Sequence, residues 1–448
     1  MTTQELKVCL CLSAIFAFRI FGLMLILPVI ALYITDYSFS GALSLAIVVG
    51  AYGLAQALLQ IPMGFLSDIW GRKIIIILGM SLLGIGSIIC LYSHSIYGLI
   101  IGRAVQGSGA IGSTILAALA DKVADKNRAY AMAILGSSIG LCFFMATMLA
   151  PLLASGIGLK GIFKLTFILA IIGIALAIFV YGSDNNKINR NNVVITSLLP
   201  QVIKSWQLVQ VYFGIWSLHA VYTIIFLFLP SILTTNLLIP LSQHWVVYGI
   251  ALLSGVLLAV PLIILVTRCN KFNYFFVAAI LLLISSIFLF DFTSQHKISI
   301  ILALTLFFAG FTFLESVLPS LASKYAPIAA RGTVMGLFSS CQFFGIFSGA
   351  FLVGLLQKMF ALEDVFLVPF ILLLLWLAIF ATVDEPEVVE SNFNFITDSS
   401  KLTQLEKKLL EYDGVIEVFI ATVEKRIYVK HIKRVIPSSK LQQILECL

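Results

Sequence analysis

The chain has 448 residues, 60% of them hydrophobic and only 11% charged, against about 25% charged in an ordinary soluble domain. This composition excludes a soluble globular fold over most of the length, because the apolar surface is too large to hide from water; lipid must be the solvent. The net charge of +7 invites a nucleic-acid reading, but the cations lie in short connections between apolar runs, so they are topology signals and no nucleic-acid partner is expected.

A bilayer core about 30 Å thick takes about 20 apolar residues to cross as helix. Twelve such spans follow in chain order: 8–33, 41–66, 74–94, 98–120, 129–154, 161–182, 207–234, 244–267, 273–292, 298–323, 332–357 and 363–383. The runs are continuous rather than alternating, which predicts helices and not a barrel, since lipid tolerates no unsatisfied backbone. The first run is too long for a signal peptide, contains Arg19 and is followed by no small-residue cleavage site, so it is expected to stay as span 1.

With the N-terminus in the cytoplasm, the connections on that side carry Lys7, Arg72, Lys73, Lys122, Lys126, Arg128, Lys187, Arg190, Lys204, Arg268, Lys271, Lys324 and Arg331. The other side carries Lys160, Lys164, Lys297 and Lys358. This asymmetry predicts both termini in the cytoplasm. The seven cysteines form no CxxC pair and no Cys/His cluster, so neither a disulfide frame nor a metal or cofactor site is expected.

The polar stretch "GSDNNKINRNN" at 182–192 divides six spans from six. "LADKVADKNRAYAM" (119–132) aligns with "ASKYAPIAARGTVM" (322–335), placing Arg128 over Arg331 and Met132 over Met335. "PMGFLSDIWGRK" (62–73) aligns with "PLIILVTRCNKF" (261–272), where Arg72 meets Lys271 but Asp68 meets Thr267. Parallel six-helix repeats are a transporter architecture with the substrate path between the halves. The expected organisation is a bundle over 1–182, a cytoplasmic linker over 183–206, a second bundle over 207–384 and a small cytoplasmic domain over 391–448. In that last part a strand at 392–398, an amphipathic helix with Leu402, Leu405, Leu409 and Leu410 on one face, two strands within 414–432 turning near 423–425, and a Ser-capped helix at 438–448 give the order β-α-β-β-α. That order is a ferredoxin-like sandwich lacking its last strand.

The string "GFLSDIWGRK" (64–73) sets a carboxylate and two cations between spans 2 and 3. Gly64 and Gly71 permit close approach or a sharp turn. Asp68 is suited to accept amide bonds from a helix's positive end, and Arg72 to grip a carboxylate with two donors. Lys73 adds a second cation. We read the group as a latch between helix ends; the positive-inside rule alone accounts for the cations but not for Asp68 or the glycines.

This string resembles the signature of the major facilitator superfamily, G-x-L-x-D-x-x-G-R-K, and "GRAVQGSGA" (102–110), with Arg103 and Gln106, resembles that family's R-x-x-Q-G pattern. "FRIFGLMLILPVIALY" (18–33), "GAYGLAQALLQIPMGFLSD" (50–68), "FLESVLPSLASKYAP" (313–327) and "GTVMGLFSSCQFFG" (332–345) are similar to its bacterial YajR subgroup, which carries a small ferredoxin-like domain after span 12. The resemblance implies an all-α polytopic membrane protein of two six-helix bundles. It also implies that Asp68 caps span 11 near Gly332 and that Arg72 pairs with Asp121, a latch holding the outward-facing state. Antiporters of the family carry a glycine-rich motif in span 5; here "ATMLAPLLAS" (146–155) places Ala146, Ala150 and Ala154 around Pro151, a departure that keeps small residues for close packing.

Ionisable groups inside the membrane are functional candidates because burying them is costly. Arg19 lies ~16 Å into span 1 and Glu315 ~12 Å from the cytoplasmic end of span 10 at 1.5 Å per residue; His219 in span 7 is at similar depth. Glu315 is the candidate for exchanging a proton or a cationic substrate, with Arg19, Arg103, Gln106 and His219 lining the same cavity; the alternative is a static Arg19–Glu315 pair, or a Glu315 bonded to nearby backbone or hydroxyls. The expected function is secondary transport of a small organic compound by proton-coupled efflux. A uniporter or symporter, and a membrane ligand sensor signalling through the terminal domain, remain as alternatives. An enzyme has no nucleophile–base or metal constellation behind it.

Overall fold

The structure, a computed structural model, describes residues 1–40, 43–182, 199–269, 272–292, 296–359, 366–380, 388–394, 402–421, 426–432 and 434–447. Residues 183–198 of the expected linker, the turn near 423–425 and residues 395–398 of the expected strand lie outside them.

Long apolar runs become helices because only helices satisfy their own backbone in lipid. They are α1 (Thr3–Met24), α2 (Ser44–Trp70), α3 (Arg72–Tyr92), α4 (Ile96–Ser108), α5 (Gly112–Lys122), α6 (Asp125–Tyr181), α7 (Trp206–Ser231), α8 (His244–Cys269), α9 (Phe272–Phe292), α10 (Lys297–Tyr325), α11 (Arg331–Met359) and α12 (Leu367–Phe380). Among the described residues nine helices are long and apolar enough to cross a membrane. The twelve expected spans are recovered once three local features are read. α6 holds spans 5 and 6 in one run that changes direction at Gly158, whose φ of 68° is left-handed. Span 4 is broken between α4 and α5: a Cβ on Gly109 would sit 2.3 Å from the Gly79 carbonyl oxygen and 2.8 Å from an Arg19 nitrogen, so two backbones meet here only because both residues are glycine. α12 is described over 14 residues.

Span 1 also ends earlier than expected: α1 stops at Met24, and a short helical turn, Ile30–Tyr33, follows Pro28. A proline cannot donate to the helix ladder and crowds the preceding turn.

The halves meet mainly through α2 and α11. A Cβ on Gly354 would lie 2.5 Å from the Ala46 Cβ, and one on Gly53 2.8 Å from the Phe343 carbonyl oxygen. Toward the end of the bundle that carries residues 64–73, hereafter the basic end, the two helices part: a Cβ on Gly336 reaches only Ile61 at 3.7 Å, and one on Gly332 meets nothing within 4 Å.

The C-terminal part folds as β1 (Val388–Asn394), α13 (Leu402–Leu410), β2 (Val415–Ala421), β3 (Arg426–Ile432) and α14 (Ser438–Cys447), with antiparallel strands in the order β1-β3-β2. The first strand starts four residues earlier than expected, because its pairing with β3 runs from Val388 opposite Ile432 to Asn394 opposite Arg426. Leu409, Val418, Ile427, Val429, Ile436 and Leu441 form the core beneath the sheet. Leu410, expected on the buried face, is 45% exposed.

Candidate functional site

Three polar groupings stand out in the apolar bundle. The first is the 64–73 string. α2 passes into α3 through Gly71 alone, at φ 93° and ψ 150°, a conformation that essentially only glycine adopts and that costs an L-residue on the order of 1–3 kcal/mol. The one-residue turn sets Arg72 at the start of α3, where it pairs with Asp68 one turn back. Its Nε donates to Asp121 Oδ2 on α5 at 3.2 Å, and its Nη1 donates to Ser67 Oγ at 2.5 Å. Gly64 lets α2 approach α5, since a Cβ there would be 2.9 Å from Ser113 Oγ. Lys73 Nζ donates to the Gly182 carbonyl at the end of α6. The expected Arg72–Asp121 contact is therefore present. The expected Asp68 cap on α11 is not made in this conformation: Asp68 rests on Arg72, and the space around Gly332 is open.

The second grouping lies inside the N-terminal bundle. Arg19 on α1 donates from Nη2 to Gln56 Oε1 at 2.9 Å and to the Gly107 carbonyl at 3.3 Å. Arg103 on α4 donates to Gln106 Oε1 at 2.8 Å, and Gln106 Nε2 donates to Ser87 Oγ at 2.8 Å. The Tyr52 ring lies between them, 5.9 Å from the Arg19 guanidinium carbon and 4.5 Å from that of Arg103. Such contacts offset part of a cation's desolvation. The two arginines are 0% and 2% exposed, so neither lines an open cavity. Among the described residues neither has a carboxylate partner, and the Arg19–Glu315 pair weighed from the sequence is not formed.

The third grouping faces the junction of the halves. Gln342 on α11 donates from Nε2 to Glu315 Oε1 on α10 at 3.1 Å and lies 2.9 Å from His219 Nε2 on α7. His219 Nδ1 is 3.3 Å from the Ile215 carbonyl. A histidine that donates there from Nδ1 leaves Nε2 free to accept from Gln342. The Glu315 side chain is 36% exposed against 4% for His219, with 3.9 Å between His219 Nε2 and Glu315 Oε2. Across the junction, Phe143 of α6 stacks on Phe311 at 5.4 Å, and Phe311 lies 5.7 Å from the His219 ring. Glu315 and His219 thus come together as expected, but apart from Arg19, Arg103 and Gln106. Gln342 was missed. Its signal was an uncharged amide alone in an apolar run, which a search for charges passes over. Ala146, Ala150, Ala154 and Pro151 are all buried on α6, and the Ala154 carbonyl accepts from Tyr33 Oη at 2.8 Å.

The Major Facilitator Superfamily pattern matches residues 12–350 and 211–409. The chain is 35% identical to the inner membrane transport protein YajR of Escherichia coli (strain K12), covering 99% of this chain and 98% of that one. A shorter stretch is 27% identical to the class H tetracycline resistance protein of Pasteurella multocida, over 30% of this chain and 34% of that protein. A solved bacterial homolog of the human lysosomal transporter Spinster, in an inward-facing and occupied conformation, superposes with a TM-score of 0.64 at 16% identity, over 85% of this chain and 97% of that one. With a family match over most of its length and a full-length relative, this chain is a membrane transporter of the Major Facilitator Superfamily, similar throughout to YajR.

Proposed function

We propose that this transporter exports a small organic compound across the inner membrane in exchange for protons, with both termini in the cytoplasm. The observation that carries this reading is Glu315: a half-open carboxylate deep in α10, hydrogen-bonded through one oxygen to Gln342. Its other oxygen, Oε2, is buried and has no hydrogen-bond partner. A proton satisfies that oxygen and removes the charge that a cationic substrate needs at the exposed part of the carboxylate, so the two exclude each other, which is the requirement for exchange. His219 stays on the far side of Gln342 and orients the amide. The tight contact of α2 with α11 away from the basic end, and their separation at it, support an inward-open conformation. The 64–73 string with Asp121 is then the latch that shuts the basic end, Asp68 reaching α11 near Gly332. The resistance protein among the relatives supports efflux as the direction.

The test is flux in proteoliposomes under an imposed pH gradient, with ethidium as the cationic probe. Glu315→Gln is expected to cut proton-driven flux about a hundredfold while leaving unlabelled-for-labelled substrate exchange. Proton-driven flux that survives in Glu315→Gln overturns the mechanism, and flux indifferent to the gradient makes the protein a uniporter.

A further inference from the structure

Among the described residues, the C-terminal domain touches the loop that joins α10 to α11. Residues 326–330 join α10 to α11: the 3₁₀ turn Ile328–Ala330 runs directly into Arg331 at the start of α11. The first amides of a helical run have no partner within it. One of them is supplied by the terminal domain: the Ile328 N–H donates to Glu417, 3.0 Å from Oε1 and 3.2 Å from Oε2. Beside it, Lys430 Nζ donates to the Ala326 carbonyl at 2.9 Å. The sheet is shaped for this grip. Glu417 on β2 lies opposite Lys430 on β3, and the register shifts between Val415 and Glu417. A bulge of that kind re-aims the side chain that follows it. The result is a carboxylate for an amide and an ammonium for a carbonyl two residues earlier.

The loop so held is the part of the second half that must approach residues 64–73 when the basic end shuts. We propose that the terminal domain is a built-in brake. By setting the Glu417 carboxylate on the first turn leading into α11, it fills the electropositive end that Asp68 would otherwise take, and so disfavours closure of the basic end. Two carboxylates crowded at one helix start repel each other, and only one of them is neutralised by the same few amides. This rests on the latch role given to Asp68 above. Releasing the domain, by a ligand or by loss of Glu417, frees the helix start and lets the basic end shut.

The test uses the full chain in a cysteine-free background, with spin labels at Trp70→Cys and Lys324→Cys, reading the short-distance population by pulsed dipolar spectroscopy. Glu417→Gln is expected to raise that population about tenfold, the weight of one charge-assisted hydrogen bond. Lys430→Met, which loosens the grip without touching the carboxylate, is expected to raise it less. An unchanged population in both variants overturns the brake. Asp68→Asn separates this from the latch itself. If it lowers the short-distance population while the Glu417 and Lys430 variants do nothing, the latch stands and the brake falls. If Glu417→Gln raises the population while Asp68→Asn leaves it alone, competition with Asp68 for this helix start is overturned, and with it the brake as proposed.

Discussion

The two halves of the bundle hold ionisable groups at similar depth in opposite ways. The N-terminal half locks Arg19 and Arg103 in a packed cradle of Gln56, Tyr52, Gln106 and Ser87, fully out of reach. The C-terminal half leaves Glu315 half-open on a bridge through Gln342 to His219. A guanidinium does not release its proton in a protein, so the first half carries a fixed charge. A carboxylate and an imidazole can both change charge, so the second half carries whatever titrates. On the proposed mechanism this is a division of labour: a rigid positive half and a switching half across one junction.

The most severe challenge to that division is Glu315→Gln, expected to cut proton-driven flux by about a hundredfold, within the range general acid–base groups supply, with the melting temperature unchanged. Next comes Arg103→Ala. It removes a large buried side chain and strands Gln106, so it should cost about 3 kcal/mol of stability, read as loss of folded protein in a thermal-shift assay. Glu315→Ala at its half-open site should cost under about 1 kcal/mol. Equal costs for the two alanine variants would break the contrast between a packed half and an open one. Gln342→Leu sharpens it: the bridge is lost while both titrating groups stay, and flux should fall about tenfold, one hydrogen bond's worth. Gly71→Ala should cost roughly 1–3 kcal/mol through its positive-φ extended backbone, measured the same way, with transport by surviving protein intact.

Much of this arrangement could be read before any coordinates. The twelve apolar runs and the β-α-β-β-α order were legible because lipid and strand pairing impose periodicities that the residues must carry. Glu315 and His219 were legible because a titratable group inside an apolar helix is costly and therefore conspicuous. Two things were not. Arg19 looked like a cavity residue because depth along a helix can be counted while the direction a side chain faces depends on neighbours. Here the direction is set by the Gly79–Gly109 approach, which draws α3 against the break between α4 and α5. Gln342 was invisible for a different reason: an amide carries no charge, so it costs too little to stand out, yet its two-handed geometry is what joins the other two. The Asp68 contact with α11 is absent in this conformation; on the proposed mechanism it forms when the basic end shuts.

The smallest effect comes from a likeness between the halves. In the repeat alignment, Ala124 lies over Pro327, one position before Ile328. Both loops take a carboxylate from outside. The Ala124 N–H donates to Glu5 Oε1 at 2.9 Å, and Asn127 Nδ2 to Glu5 Oε2 at 3.1 Å. The Ile328 N–H donates to Glu417. The difference lies in what carries the acid. Glu5 sits in the first turn of α1, inside a capping box with Thr2, and α1 packs along α6 within its own half. Glu417 arrives on a separate domain. Losing Glu5 therefore loosens one half internally without changing what faces the other. Glu5→Gln should lower the melting temperature slightly and leave the Trp70–Lys324 label distance unchanged, whereas Glu417→Gln should shift that distance with little effect on melting. If Glu5→Gln moves the label distance as far as Glu417→Gln does, the first half is not the fixed frame against which the second one switches.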